Sequence, residues 1–279
     1  MSEMKTEDIN KGVDYILGTD PDELDRLGFQ HRVWSKEANA LWLQMGLGQG
    51  KRVLDLGCGP GFATFDLGAI VGREGSVYGI DKSPEFIEYA RHQGHVRGFE
   101  NLEFVEGDFS EMTLEDNSFD AAYCRWALCW MDEPQPVVQS VADALKPGGL
   151  FGAQEYVHWG SFSVYPEKPE VRKVIEACRT SWKLMDGQID MGPRLIEKFD
   201  NAGLEVVHMA PLAKFGKPGQ MPWQWPSTFF KIYTLRLIEI GLLTEQDRTE
   251  FLEVWGKLEN DSNAFVVTPM MMEVVGRKR

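Results

Sequence analysis

Apolar residues recur along this chain at two different periods. Early on, Ala38, Leu41, Trp42 and Met45 repeat at helical spacing behind Ser35, predicting a helix over Lys36 to Met45. Pro21 to Leu27 reads as a separate short helix, with Asp20 as its cap and Pro21 at the first helical position. After the glycine-rich break Gly46 to Lys51, short apolar runs begin to alternate with helical segments. Arg52 to Leu56, Ser76 to Ile80, Leu102 to Val105, Phe119 to Cys124 and Leu150 to Tyr156 are predicted strands. Phe62 to Val71, Pro84 to Arg97 and Pro136 to Leu145 are predicted helices between them. Ser83 caps the second of these, and Pro147-Gly148-Gly149 stops the third. Such alternation predicts a parallel sheet covered by helices on both faces, with right-handed crossovers. The last third is less regular. Val171 to Asp186, Pro193 to Ala202, Phe229 to Ile240 and Glu245 to Leu258 read as helices, Leu204 to Met209 as a strand, and Phe265 to Val275 as a final strand or pair.

A chain of 279 residues can bury a large core without disulfides or metals. Its 29 basic and 43 acidic residues leave a net charge of −14. A surface this acidic repels phosphate backbones, which argues against nucleic acid as a partner. No run approaches the roughly 20 apolar residues of a membrane span. Met1 to Asp8 lacks the apolar run of a secretory leader, and Cys58, Cys124, Cys129 and Cys178 make no Cys-x-x-Cys pair. The expectation is a reduced, cytoplasmic protein. His92 and His95 form one helical pair on a charged stretch, which reads as a solvated face, so no metal site is expected.

The segment Val53-Leu-Asp-Leu-Gly-Cys-Gly-Pro-Gly61 carries the most chemistry. A glycine turn between strand and helix lets a ligand approach backbone N–H groups at the helix start. A dinucleotide fingerprint beginning at Gly57 needs a glycine where Phe62 stands, and the third glycine instead falls early, at Gly61. Asp55, two residues before the first glycine, would repel a pyrophosphate but favours an ammonium. Asp81 ends the second predicted strand about 20 residues after the last glycine, the spacing of a ribose-binding carboxylate. Asp55, Asp81, Asp108 and Cys124 all fall at strand ends, where ligands bind in such sheets.

Together, Asp55-x-Gly57-x-Gly59-x-Gly61 and Asp81 resemble the first motifs of class I S-adenosylmethionine (SAM)-dependent methyltransferases. Gly107-Asp108-Phe109 resembles their adenine-holding segment, Phe119-Asp120 through Arg125 their fourth-strand motif, and Leu145-Lys-Pro-Gly-Gly149 the turn before their fifth strand. The core is similar to that of the ubiquinone and menaquinone methyltransferases. The resemblance implies a Rossmann-like α/β fold: a seven-stranded, mostly parallel sheet with a reversed last strand and helices on both faces. It implies SAM as cofactor, held by Asp55, Gly57, Gly59, Gly61, Asp81, Lys82, Asp108, Phe109 and Arg125. Phe109 stands where alanine is commoner. Arg26 to Trp34 is similar to a segment that folds over the cofactor in small-molecule members, which would place Gln30, Arg32 and Trp34 near it; a packing helix with Trp34 in the core is the alternative.

The expected organisation is an N-terminal helical segment, 1–48, covering the cofactor site, and a methyltransferase domain, 49–279, with insertions at about 157–191 and 212–262. Seven of the nine tryptophans lie beyond the fourth strand: Trp126, Trp130, Trp159, Trp182, Trp223, Trp225 and Trp255. One reading is an aromatic cap over a small-molecule pocket lined by Trp34, Trp126, Tyr156, Trp159 and Trp223. The other is the ordinary core of the extra helices, or the interface of a homodimer. Methyl transfer is an in-line displacement that depends on positioning and exclusion of water, and a general base is needed only if the acceptor loses a proton. Glu155 and His158, after the fifth strand, are the candidates, with His31 a weaker one. The expected enzyme methylates a small apolar or aromatic metabolite. A protein-directed methyltransferase and a non-catalytic SAM-binding protein remain open beside it.

Overall fold

The computed structural model describes residues 19, 21–109, 113–184 and 187–279; Asp20, read above as a helix cap, and Asp186 lie outside them. In chain order the helices are α1 (Pro21–Gln44), α2 (Phe62–Val71), α3 (Pro84–Val96), α4 (Gln135–Ala144), α5 (Pro169–Leu184), α6 (Leu195–Asn201), α7 (Met221–Glu239) and α8 (Glu245–Glu259). The strands are β1 (Arg52–Leu56), β2 (Ser76–Asp81), β3 (Leu102–Glu106), β4 (Phe119–Arg125), β5 (Leu145–His158), β6 (Ser163–Tyr165), β7 (Leu204–Leu212), β8 (Phe215–Gly216), β9 (Phe265–Val267) and β10 (Met270–Lys278). They divide between two compact units.

The sheet unit comprises residues 34–155, 191–211 and 272–279. Its seven-stranded sheet has the order β3-β2-β1-β4-β5-β10-β7. The pairs β1/β2, β1/β4, β2/β3 and β4/β5 are parallel. The last strand inserts between β5 and β7 and runs opposite to β5, since Gln154 meets Glu273 while Lys278 reaches back to the Leu145 carbonyl. This is the expected Rossmann-like sheet. Strand alternation sends Leu54 and Leu56 into a core with Val137, Val138 and Val141 of α4 and Phe199 of α6. Val53 goes to the opposite face, with Leu41 and Trp42 of α1, Met45 just beyond it, and Leu67 and Val71 of α2. Asp120, inside the fourth-strand motif, is used structurally: it accepts the Arg52 N–H at 2.9 Å and pairs with Lys146 at 2.9 Å.

The second unit holds residues 21–33, 156–190 and 212–271, and is built on aromatic packing. Trp223 stacks near Trp255 at 5.1 Å, Phe230 meets Phe251 and Trp255 at 5.4 and 5.6 Å, and Trp182 meets Tyr233 at 5.7 Å. Two of the polar tips are met inside it: the Trp255 indole donates to Ser227, and the Ser181 and Tyr233 hydroxyls lie 2.7 Å apart. A small sheet, β6-β9-β8, completes the unit with antiparallel pairs.

Three expectations are corrected. The two early helices are one, because Glu23 and Arg26 satisfy each other in a buried double contact at 2.6 Å and the chain has no reason to break near Gly28. Helix α7 starts at Met221 rather than Phe229, with Pro222 in its first turn and Pro226 tolerated inside. Strands β6 and β8 had no counterpart in the pattern, being only three and two residues long.

Candidate cofactor site

Each glycine between β1 and α2 has its own geometric reason. Gly57, Gly59 and Gly61 have φ of 70°, 53° and 84°, a region open mainly to glycine. A Cβ on Gly57 would stand 2.6 Å from the Ala127 Cβ, and one on Gly61 would stand 3.0 Å from the Phe104 ring and 3.1 Å from Ala90. Packing demands these two. At Gly59 an added Cβ meets nothing within 4 Å, so the loop is open there to a ligand. No side chain caps α2 behind Gly61, leaving the helix start suited to a ligand's polar atoms.

The carboxylates converge on this loop. Asp81, at the end of β2, accepts the Gly59 N–H on Oδ2 at 2.8 Å and the Ser83 N–H on Oδ1 at 2.9 Å. Each oxygen keeps a second lone pair for a hydroxyl. Burial raises its pKa, and the two N–H groups pull it back down. Lys82 beside it is exposed. Asp55 is buried on β1 and accepts the Thr64 hydroxyl at 2.6 Å. Burial lifts its pKa to about 6, opposed by the Thr64 hydrogen bond and the Arg125 charge, so at neutral pH it is mostly ionised.

The ends of β3 and β4 complete the rim. Asp108 is exposed, while Phe109 is half-buried against the sheet core, its ring 4.0 Å from where a Gly57 Cβ would stand. Arg125 lies 5.1 Å above the Trp126 ring, and Trp34 meets Trp126 edge-on at 6.0 Å. Trp126 has φ 54°, the kind of backbone strain that collects at functional sites, and its N–H donates to the Gln154 carbonyl at 3.1 Å. Glu155 is fully buried and accepts the Leu128 N–H at 2.9 Å, holding the turn after β4. Burial pushes its pKa up to about 8, against the Leu128 hydrogen bond.

The remaining predicted residues belong to the aromatic unit. The Gln30 side-chain oxygen accepts from Arg26 at 3.0 Å and from the Trp225 indole at 2.9 Å, so it ties α1 to α7. Trp223 is 1% exposed and packed on Trp255, as the core reading of these rings expects. Tyr156 and Trp159 are buried. His158 is 54% exposed and 3.7 Å from Asp190. His92 and His95 are exposed, and among the described residues no cluster of metal-ligating side chains occurs.

Sequence reasoning missed Thr64, although a hydroxyl in the first turn after the loop was a readable signal. It also missed a buried polar chain across four adjacent strands. The Tyr123 hydroxyl donates to Gln154 at 2.9 Å, the Gln154 amide donates to Glu273 at 3.1 Å, and Glu273 lies 3.0 Å from His208. No spacing rule links residues that far apart in sequence.

A methyltransferase-domain family profile matches residues 47–203, more than half of the chain. The chain belongs to the SAM-dependent methyltransferases. It is 33% identical over 186 residues to the sterol 24-C-methyltransferase erg6 of Aspergillus fumigatus, covering 66% of this chain and 47% of that one. It is 29% identical over 220 residues to the cycloartenol-C-24-methyltransferase of Arabidopsis thaliana, covering 76% and 62%. The methyltransferase thus spans roughly half to three-fifths of the length of these two relatives. Among solved structures, the YcgJ protein of Bacillus subtilis shares the fold with TM-score 0.56 and 18% identity, covering 86% of this chain and 97% of that one. SAM is the methyltransferase's cofactor, and the residues present fit it. The open flank of Gly59 admits a ligand against the backbone, Asp81 offers acceptors for ribose hydroxyls, and ionised Asp55 suits the methionyl ammonium.

Proposed function

We propose that this methyltransferase transfers a methyl group from SAM to a carbon atom of a sterol-like, largely apolar small molecule. The observation that carries this reading is the kind of relative it matches: sterol and cycloartenol C-24 methyltransferases of fungi and plants. Bound SAM supplies an activated methyl on a sulfonium whose thioether leaves as a neutral group. An alkene acceptor gives its π pair to the new carbon–carbon bond, and the resulting cation must then lose a proton.

The chain's own residues bind, orient and exclude water. Asp81 and the Gly59 backbone hold the donor's ribose end, and Asp55 its ammonium. Arg125 and Trp126, at the end of β4, orient what lies beyond the loop. Glu155 keeps its proton at neutral pH, so its part is to hold the Leu128 turn and through it the end of β4. That makes it a positioning residue in this proposal. His158, exposed beside Asp190, is the group suited to take the departing proton. The four cysteines are free thiols, which supports a reducing, cytoplasmic setting.

The test is transfer from methyl-labelled SAM to a panel of detergent-solubilised acceptors: a sterol with a side-chain double bond, a phenol, a carboxylic acid and an amine. Label in a new carbon–carbon bond of the sterol supports the proposal. Label confined to the oxygen or nitrogen acceptors, or to none, overturns it.

A further inference from the structure

The small sheet of the aromatic unit has two unlike faces. Val164 and Val266 point inward, and Gly216 lies so close to Trp223 that a Cβ there would stand 2.5 Å from its backbone nitrogen. On the outer face the pairings Tyr165 with Phe265 and Phe215 with Val267 set three rings in a row across three strands. Tyr165 and Phe265 stack at 4.8 Å, and Phe265 and Phe215 lie 6.4 Å apart. This ladder faces solvent: Phe215 is 69% and Tyr165 42% exposed. Exposed Lys217 stands close after Phe215, and Lys168 follows Tyr165 closely. Glu167, the acid nearest Tyr165 in sequence, is paired with Arg172 at 2.9 Å.

We propose that this aromatic face docks the methyltransferase on the interface of a zwitterionic lipid bilayer, from which an apolar acceptor is collected. The inference rests on the reading of the acceptor as a lipid. Two arguments select a bilayer over a second copy of the chain. The first is size. Two strands of three residues and one of two, about 4.8 Å apart at about 3.4 Å per residue, make a face on the order of 100–150 Å², against roughly 800 Å² per partner in a stable protein complex. The second is chemistry. Tyrosine and other amphipathic rings settle at headgroup depth, while lysine stems lie along apolar surface and bring their ammonium groups to lipid phosphates. The net charge of −14 opposes a strongly anionic membrane, so the match is to a zwitterionic surface carrying phosphates without net charge. A footprint this small gives reversible binding, as suits an enzyme that must leave the surface again.

The experiment is co-sedimentation of the full chain with phosphatidylcholine vesicles, and with vesicles containing phosphatidylserine. Wild type is expected to sediment with phosphatidylcholine at least as well as with the anionic vesicles. Tyr165→Ser with Phe215→Ser should weaken that binding tenfold or more, and Phe215→Trp alone should hold or strengthen it. Both positions are exposed, so thermal melting and SAM affinity should stay at wild-type values. Sedimentation of the double variant like wild type, binding to anionic vesicles only, or no vesicle binding at all would overturn the proposal. So would a dimer that the double variant dissociates, which would make a second copy the occupant. Methylation of a detergent-solubilised sterol is read separately. If it occurs without vesicle binding, the docking inference alone fails; if binding depends on Tyr165 and Phe215 but no sterol is methylated, the acceptor reading fails and the docking stands.

Discussion

The two units solve the problem of burying polar and apolar groups in opposite ways. In the sheet unit, apolar faces are made by alternation along strands, and polar groups are gathered at strand ends: Asp55, Asp81 and Arg125 all stand where β1, β2 and β4 finish. In the aromatic unit the core is made of large rings, and the polar atoms inside it serve those rings, as Ser227 serves Trp255 and Gln30 serves Trp225. The sheet unit therefore holds its chemistry on a repeated scaffold. The aromatic unit spends its unusual composition on packing and shows only a few rings to solvent.

Substitutions sharpen this contrast. The largest expected effect is Trp223→Ala, which removes a fully buried ring from the aromatic core and should destabilise the protein by about 3–5 kcal/mol. Chemical denaturation measures it, and a loss under about 1 kcal/mol would show that the ring is not a core element. Within the glycine loop the effects should separate. Gly57→Val combines positive φ with the Ala127 contact, so about 2–5 kcal/mol of stability is expected to go. Gly59→Val meets no neighbour but still forces a β-branched residue to φ 53°, so about 1–2 kcal/mol of stability should go, less than at Gly57, while SAM binding falls. Calorimetric titration beside thermal melting distinguishes them, and equal loss of fold in both would contradict the open flank.

Asp81→Ala comes next. Loss of hydrogen bonds to a charged group predicts about 1.5–3 kcal/mol less SAM binding, roughly ten- to a hundredfold. Wild-type affinity would remove Asp81 from the site.

The last test is a pH slope. Because folding raises the Glu155 pKa to about 8, the folded state binds that proton more tightly than the unfolded chain, whose pKa lies near 4.5. Stability from this group is complete below about pH 4.5 and is lost as pH rises toward 8, by about 1.4 kcal/mol per pH unit. Glu155→Gln should flatten that slope. Parallel slopes for the two proteins between pH 5 and 8 would mean that Glu155 is ionised in the fold.

Much of the sheet unit was legible because its rules are local. A strand end, a glycine turn and an acid at a set distance are all readable along one dimension, and β1 to β5 fell where the apolar runs placed them within a few residues. The aromatic unit was less legible. Composition showed that Trp182, Trp223 and Trp255 were many and late, yet whether they cap a site or fill a core depends on which rings meet. Gln30 shows the same limit, since its partner Trp225 lies far along the chain.

The sequence by itself determined the fold class, the glycine loop, the acids at the strand ends and the family, because backbone geometry and charge sign act within short stretches. Only the tertiary structure decided that Gly57 and Gly61 serve packing while Gly59 is the open one. It alone joined the two early helices, buried Glu155 under the turn after β4 and ranged Tyr165, Phe265 and Phe215 on one outer face. Those outcomes depend on contacts between segments distant in sequence, and the entropy of closing such loops leaves no periodic trace in the chain.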